Sequence, residues 1–244
     1  MNRLFEELAP VMALDQVNTK AAQETDTFKI GRGKHRRILF YTYIKVADNH
    51  LRIDEDGPNE VELTLKERKG LTGDKSDLKK VDWKAGMGAQ KAKVMNADDW
   101  TDGDTITING VEFEKVESTD SGNAADKEFA DGAELEAAVN MHIDGMTADD
   151  TANDVEIEVD DPAESFDIEA DITNDTNETW VYILECAAIM EAHVSELDQE
   201  DGFNAVLLEV DASDSQGSDS INTTGFVVLG NNYKEPVLTS GKVF

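Results

Sequence analysis

The sequence predicts a mainly-β protein, an antiparallel sandwich or barrel-like domain, and three observations carry that prediction. Short runs of alternating apolar and polar residues recur along the 244 residues, as in E-V-E-L-T-L-K-E-R at 60–68 and F-D-I-E-A-D-I at 166–172. A period of two places alternate side chains on opposite faces of a half-buried strand. Asn109-Gly110 joins two such runs, and Asn-Gly suits the positive φ that a type I′ hairpin turn requires. Helical periodicity, in contrast, is confined to short stretches.

Residues 1–27 read as an N-terminal arm, with Leu4, Phe5 and Leu8 spaced for a short amphipathic helix that Pro10 would stop. No long apolar period holds this segment, so it is expected to order against a neighbour. Residues 28–37 then bring Lys29, Arg32, Lys34, Arg36 and Arg37 together beside glycines. The spacing is not that of a phosphate-binding loop, and no helix follows it. I-L-F-Y-T-Y-I-K-V reads as a strand apolar on both faces. The acid-rich stretch 54–59 reads as a turn; it lacks the spacing and terminal glutamate of an EF-hand loop, which leaves weak calcium binding as its only metal chemistry. Val61, Leu63 and Leu65 point inward from a strand, and 69–99 reads as a Lys/Gly/Ala-rich connection.

The stretch 105–160 reads as a small β-β-α-β module. Ile106 and Ile108 face Val111 and Phe113 across the Asn-Gly turn. Asp131 and Glu134 form a capping box ahead of a helix whose inner face is Leu135, Ala138, Val139 and Ile143. Val155, Ile157 and Val159 make the closing strand. Phe166, Ile168, Ala170 and Ile172 follow on one face of another. Strands are then expected at 177–190, 205–210 and 221–230, with a helix-like stretch at 190–199 and a polar loop at 211–220. The expected organisation is therefore an arm at 1–27, a β core from 28–100 plus 173–244, and an inserted acidic α+β domain at 101–172.

Charge divides the chain sharply. Residues 1–96 hold 18 Lys/Arg and 15 Asp/Glu, residues 97–175 hold 2 and 26, and residues 176–244 hold 2 and 12, giving −31 overall. So negative a region repels nucleic acid and anionic lipid, which argues against both as partners. No run reaches the ~18 apolar residues of a membrane span. Cys186 is the single cysteine, so no intramolecular disulfide forms. His35, His50, His142 and His193 are scattered without metal-ligand spacing, and no nucleophile, zinc or dinucleotide motif occurs. The reading is non-enzymatic, without cofactor, metal or catalytic residue.

Three segments resemble a family of structural proteins encoded in the head modules of tailed bacteriophages. They are V-E-L-T-L-K-E-R-K at 61–69, K-V-D-W-K at 80–84, and the run from Trp180 to Val210 with its anchors Glu196-Leu197-Asp198 and Gly202-Phe203. The hairpin G-D-T-I-T-I-N-G-V-E-F is similar to small inserts of phage head and tail proteins. The chain departs from the family pattern in the insert's acidity and in the length of 190–199. The resemblance implies a virion component that binds the outside of the capsid shell, a decoration (cement) or minor capsid protein, made in the host cytoplasm. Its implied partners are the major capsid protein and further copies of itself, a trimer among the options. Capsid contact would fall to Leu4, Phe5, Leu8, Lys29, Arg32, Lys34, Arg36 and Arg37, with the acidic module facing solvent. A major tail (tube) protein and a secreted adhesin module are the alternatives.

Overall fold

The computed structural model describes residues 9–18, 22–31, 36–46, 51–52, 62–81, 87–117, 123–173, 179–211 and 221–229. Leu4, Phe5, Leu8, Arg32, Lys34, Val61, Trp83, His35, His50, the 54–59 turn, nearly all of the polar loop and the residues after 229 lie outside them. In chain order the strands are β1 (Ala9–Asn18), β2 (Gln23–Glu24), β3 (Phe28–Lys29), β4 (Arg37–Val46), β5 (Leu51–Arg52), β6 (Glu62–Arg68), β7 (Lys75–Val81) and β8 (Met87–Val94). Then come β9 (Thr105–Ile108), β10 (Val111–Lys115), β11 (Glu128–Phe129), the helix α1 (Gly132–His142), β12 (Met146–Thr151) and β13 (Asp154–Val159). β14 (Ile168–Asp171), β15 (Val181–His193), β16 (Ala205–Asp211) and β17 (Ile221–Leu229) complete the described chain. The fold is mainly β, with antiparallel sheets in a sandwich-like arrangement.

The largest sheet has eight strands in the order β1-β17-β4-β15-β8-β13-β12, with β5 also pairing β15. Its spine is the 13-residue β15, whose residues 185–193 pair β4 on one side while 181–188 pair β8 on the other. A five-stranded sheet runs β2-β16-β6-β7, with β3 also on β16, and a four-stranded one runs β11-β10-β9-β14. One core cluster draws on all three sheets and on α1, from Phe40 and Ile44 through Leu65, Phe113 and Leu135 to Val181 and Leu208. Phe28 meets Phe40 edge to face with ring centroids 6.0 Å apart. The buried Glu67 carboxylate accepts from the Asp198 amide at 2.9 Å, a polar tie between β6 and the turn that follows β15.

The five-stranded sheet curls. Lys75 on its edge strand β7 forms an ion pair with Glu24 on the opposite edge strand β2, and Lys66 pairs Glu209 at 2.5 Å. Leu207, outside the main core cluster, is nevertheless fully buried on the side that carries these pairs.

Several local predictions hold. Asn109 and Gly110 have φ of 50° and 76°, as a type I′ hairpin between β9 and β10 demands. Asp131 caps α1 by accepting from the Glu134 amide at 2.9 Å, while Glu134 reaches back to the Ala130 amide at 2.7 Å, one residue short of a reciprocal box. Leu135, Ala138 and Val139 of the helix are turned inward with Gly132, and Ile143, its C-cap, is buried too.

Other expectations are corrected. The stretch 69–99 is not a connection, because it contains β7 and β8, and β8 lies deep in the main sheet. Between Met87 and Val94 its sequence G-A-Q-K-A-K has no large apolar residue, because small ones fit a strand packed closely by its neighbours. Residues 9–18 are not a free arm; they add β1 to the edge of the large sheet, the position in a sheet where a proline such as Pro10 is tolerated. The expected helix at 190–199 is the end of β15 followed by a 3-10 turn at Val194–Glu196. An unforeseen strand, β12, joins β13 through Ala152-Asn153, both at positive φ (58° and 73°).

The inserted acidic domain is not seen as a separate unit. β13 pairs β8 directly, Lys91 reaches Glu156 at 2.6 Å and Glu158 at 3.2 Å, and Lys93 reaches Asp154 at 2.7 Å. Charge segregated along the sequence is thus stitched together across this seam. The helix also closes the sheet's edge. Asn140 of α1 donates to the Ala148 carbonyl at 3.0 Å and accepts from its amide at 2.8 Å, and Glu136 accepts from the Asp150 amide at 3.0 Å. An edge strand covered in this way offers little to a further strand.

Two outcomes follow. Asn140→Ala leaves both polar groups of Ala148 without the side chain that serves them and is expected to cost about 1–3 kcal/mol in urea unfolding. Replacing residues 101–172 with a Gly-Ser linker is expected to abolish the cooperative transition, since it strips β13 from β8; a cooperative, β-rich deletion protein would contradict the continuous sheet.

Candidate functional site

Chemistry-bearing side chains gather in two places. The first is the outer face of the large sheet. Alternation turns Ile38, Phe40 and Ile44 of β4 into the core and leaves Leu39, Tyr41 and Tyr43 half-exposed on the other face. Across the ladder, Leu39 sits opposite Glu191, Tyr41 opposite Ile189 and Tyr43 opposite Ala187. Ile189 is 58 % exposed, unusual for a large aliphatic side chain in the centre of a sheet. Ion pairs frame this apolar strip. Arg37 grips Glu191 with both Nε and Nη2 at one end, and Lys45 meets Glu185 at 2.6 Å at the other. The Tyr43 hydroxyl also donates to Glu185. Burial, with that hydrogen bond and charge, pushes the Tyr43 phenol well above its ordinary value. Burial opposes ionisation of Glu185 as well, but Lys45 and Tyr43 together outweigh it and hold the carboxyl below the usual range.

Beside the strip lies a recess of ≈ 320 Å³ lined by Tyr41, Gly88, Gln90, Ala187, Ile189 and the segment 162–167, among others. Its wall is built firmly. Phe166 exchanges two backbone hydrogen bonds with Ala89, at 2.8 and 2.9 Å, as an extra partner on the β8 edge. The buried Gln90 amide donates to the Pro162 carbonyl at 2.5 Å and to that of Glu164 at 3.2 Å. Gly88 lets Ser165 approach, since a Cβ there would stand 2.5 Å from its Oγ and 2.8 Å from its Cβ. Floor and wall are therefore fixed by backbone pairing and one buried amide.

The second place surrounds the start of α1. Lys115, only 2 % exposed, donates to the carbonyls of Ala130 and, at 3.2 Å, Asp98, with its ammonium 5.9 Å from the Phe129 ring. Burial pulls its pKa down, against the attraction of Asp98, Asp131, Glu134 and Asp99. Asp150 lies against Gly132, its Oδ1 buried with no partner among the described residues. Burial and the nearby Asp98, Glu136 and Asp131 charges raise its pKa. This is a structural knot that joins β10, β12 and α1.

Of the residues expected to contact a capsid, Lys29 is exposed, Arg36 half-buried, and Arg37 is committed to Glu191; Leu4, Phe5, Leu8, Arg32 and Lys34 lie outside the described residues. His142, the last residue of α1, bonds the Ala124 carbonyl of the preceding 3-10 turn at 2.7 Å and so ties that turn to the helix end. Cys186 is fully buried, its thiol pushed up to about 12 by desolvation. Among the described residues no group of three or more His, Cys, Asp and Glu side chains is arranged to hold a metal ion, and no helix is long and apolar enough to cross a membrane. Sequence reading missed the recess, because β8 was read as a connection; the clue was Phe40 between Leu39, Tyr41 and Tyr43, which places aromatics on both faces of one strand. Family models, curated proteins and solved structures give no match to this chain.

Gly88→Ala is expected to destabilise the fold by about 1–3 kcal/mol by driving Cβ into Ser165. Adding Ser165→Gly should restore much of it, and additive effects in that double-mutant cycle would show the two do not touch. Asp150 bears on pH. Its folded pKa lies above the reference 3.8, so the ionised group subtracts stability above that folded pKa, and the penalty disappears as pH falls below the reference value. Asp150→Asn should therefore raise the melting temperature at pH 7 and leave it unchanged near pH 3.

Proposed function

We propose that the chain is a non-enzymatic structural protein that binds the outside of a phage capsid shell and stabilises it, as a decoration or minor capsid protein. The carrying observation is a continuous, densely paired β scaffold that displays large areas of differing character. These are a strongly acidic region around α1 and β9–β13, an apolar strip framed by ion pairs, and the exposed cation Lys29 beside the start of β4. Such a body suits binding by area better than turnover in a cleft. The segment that resembles head-module proteins most fully, 180–210, is β15, its following turn and β16, the passage from the large sheet into the curled one.

A cement protein acts by mass action. Affinity for the assembled shell alone stabilises the shell and leaves free subunits unaffected. The basic cluster of Lys29, Arg32, Lys34, Arg36 and Arg37 would set register and on-rate against acidic capsid groups, while Leu4, Phe5 and Leu8 supply apolar contact. Exposed ion pairs contribute only ~0–1 kcal/mol each. The major capsid protein is the partner in this reading, and the chain binds as a homo-oligomer.

Empty capsids mixed with the purified protein and heated provide the test. Binding should raise the temperature of capsid disruption, and neutralising the five basic residues should slow association and flatten its salt dependence. Unchanged heat resistance, or stacked rings of the protein alone in negative stain, would reject the reading; the rings would favour a tail tube.

A further inference from the structure

The recess on the large sheet answers to a different occupant from the capsid contact above, and it stands on its own geometry. We infer that it is a docking groove for an extended protein segment in which a lysine or arginine neighbours an aliphatic side chain. Two features select that chemistry. The floor is apolar and small, formed by Ala187 and Gly88 beside the exposed Ile189 and the half-exposed Tyr41. The wall is anionic: residues 160–167, D-D-P-A-E-S-F-D, carry Asp160, Asp161, Glu164 and Asp167, and none of the four meets a cationic side chain among the described residues. Elsewhere on this face carboxylates are answered, Glu191 by Arg37 and Glu185 by Lys45. Of the four, Glu164 and Asp167 line the recess itself and place negative charge at the groove's rim.

Shape argues for a chain segment over a small amine. The recess of ≈ 320 Å³ is at the small end of ligand pockets and opens onto a row that continues across the sheet. Tyr41 of β4 sits directly opposite Ile189 of β15, so two large side chains of neighbouring strands stand at one level beside the anionic wall. An extended segment alternates its side chains, so one aliphatic residue lies on Ile189 and Tyr41 while a nearby cation reaches Glu164 and Asp167. The wall is preorganised by Gln90 and by the Phe166–Ala89 pairing, so little ordering cost falls on the protein when a segment binds.

A second copy of the chain is the rival occupant, and one experiment separates the two. A random heptapeptide display library is panned on the intact protein, and the strongest binders are synthesised with a fluorophore and titrated by anisotropy. Peptides pairing Lys or Arg with a nearby Leu, Ile or Val are expected. Ile189→Asp should weaken them by about tenfold or more. Glu164→Gln with Asp167→Asn should weaken them several-fold and flatten the dependence on salt. All three positions are exposed, so circular dichroism and the melting temperature should match the parent protein. No enrichment, enrichment of acidic peptides, or equal affinity across the variants would overturn the inference. So would sedimentation showing that Ile189→Asp converts an oligomer to monomer while peptide affinity stays unchanged.

Discussion

Everything in this molecule hangs on the double ladder of β15. A strand paired on both sides satisfies its backbone internally, and β15 does so at 185–188 between β4 and β8 and at 182–183 between β5 and β8, while Val181 and 189–193 are paired on one side. Its inward residues, among them Val181, Ile183, Cys186 and Met190, join the core, and its outward ones set the strip that ends at Ile189. The segment 194–204 after it, opening with the 3-10 turn at Val194–Glu196, delivers the chain into β16 of the curled sheet, so one strand and its sequel fix two sheets relative to a shared core. Loss of its backbone pairing would leave buried amides and carbonyls unserved, each a penalty comparable to a lost hydrogen bond.

A net charge of −31 is compatible with this fold because the carboxylates alternate outward and the cations are spent where acids crowd. The lysines of β8 face the glutamates of β13, and those of β6 and β7 meet acids on β2, β16 and β7 itself. Individually such pairs are weak and screened, but they remove like-charge repulsion at the seams where strands must lie ~4.8 Å apart. With 53 acids and 22 cations most carboxylates have no such pair, and two cases bear on the structure. The acids of 160–167 have no such counterpart among the described residues, and Asp150 is left with a buried, unpartnered oxygen. The first is exposed and can be answered from outside. The second is enclosed by α1 and is a local cost.

Much of the secondary structure was legible in the chain because its signals are local. Asn109-Gly110 dictates a turn through backbone sterics, Asp131 a helix start through a hydrogen bond three residues away, and the alternations of 62–68 and 166–172 a buried face through periodicity alone. What failed did so for non-local reasons. Between Met87 and Val94, β8 is made of glycine, alanine, lysine and glutamine, and it is a strand because β15 and β13 supply its ladder and the 162–165 wall its cover. β12 likewise has weak β-formers and exists because α1 seals its edge.

The sequence by itself determined the class of fold, the hairpin, the helix cap and which residues alternate inward, all consequences of interactions within a few positions. Tertiary structure alone decided that 101–172 shares a sheet with the rest, that the charge boundary becomes a line of cross-strand ion pairs, and that Tyr41, Gly88, Ile189 and Asp167 meet around one recess. Those outcomes depend on which strands become neighbours. Pairing couples residues 60 to 150 positions apart, as Lys93 with Asp154 and Tyr41 with Ile189, and no short-range pattern encodes such a choice.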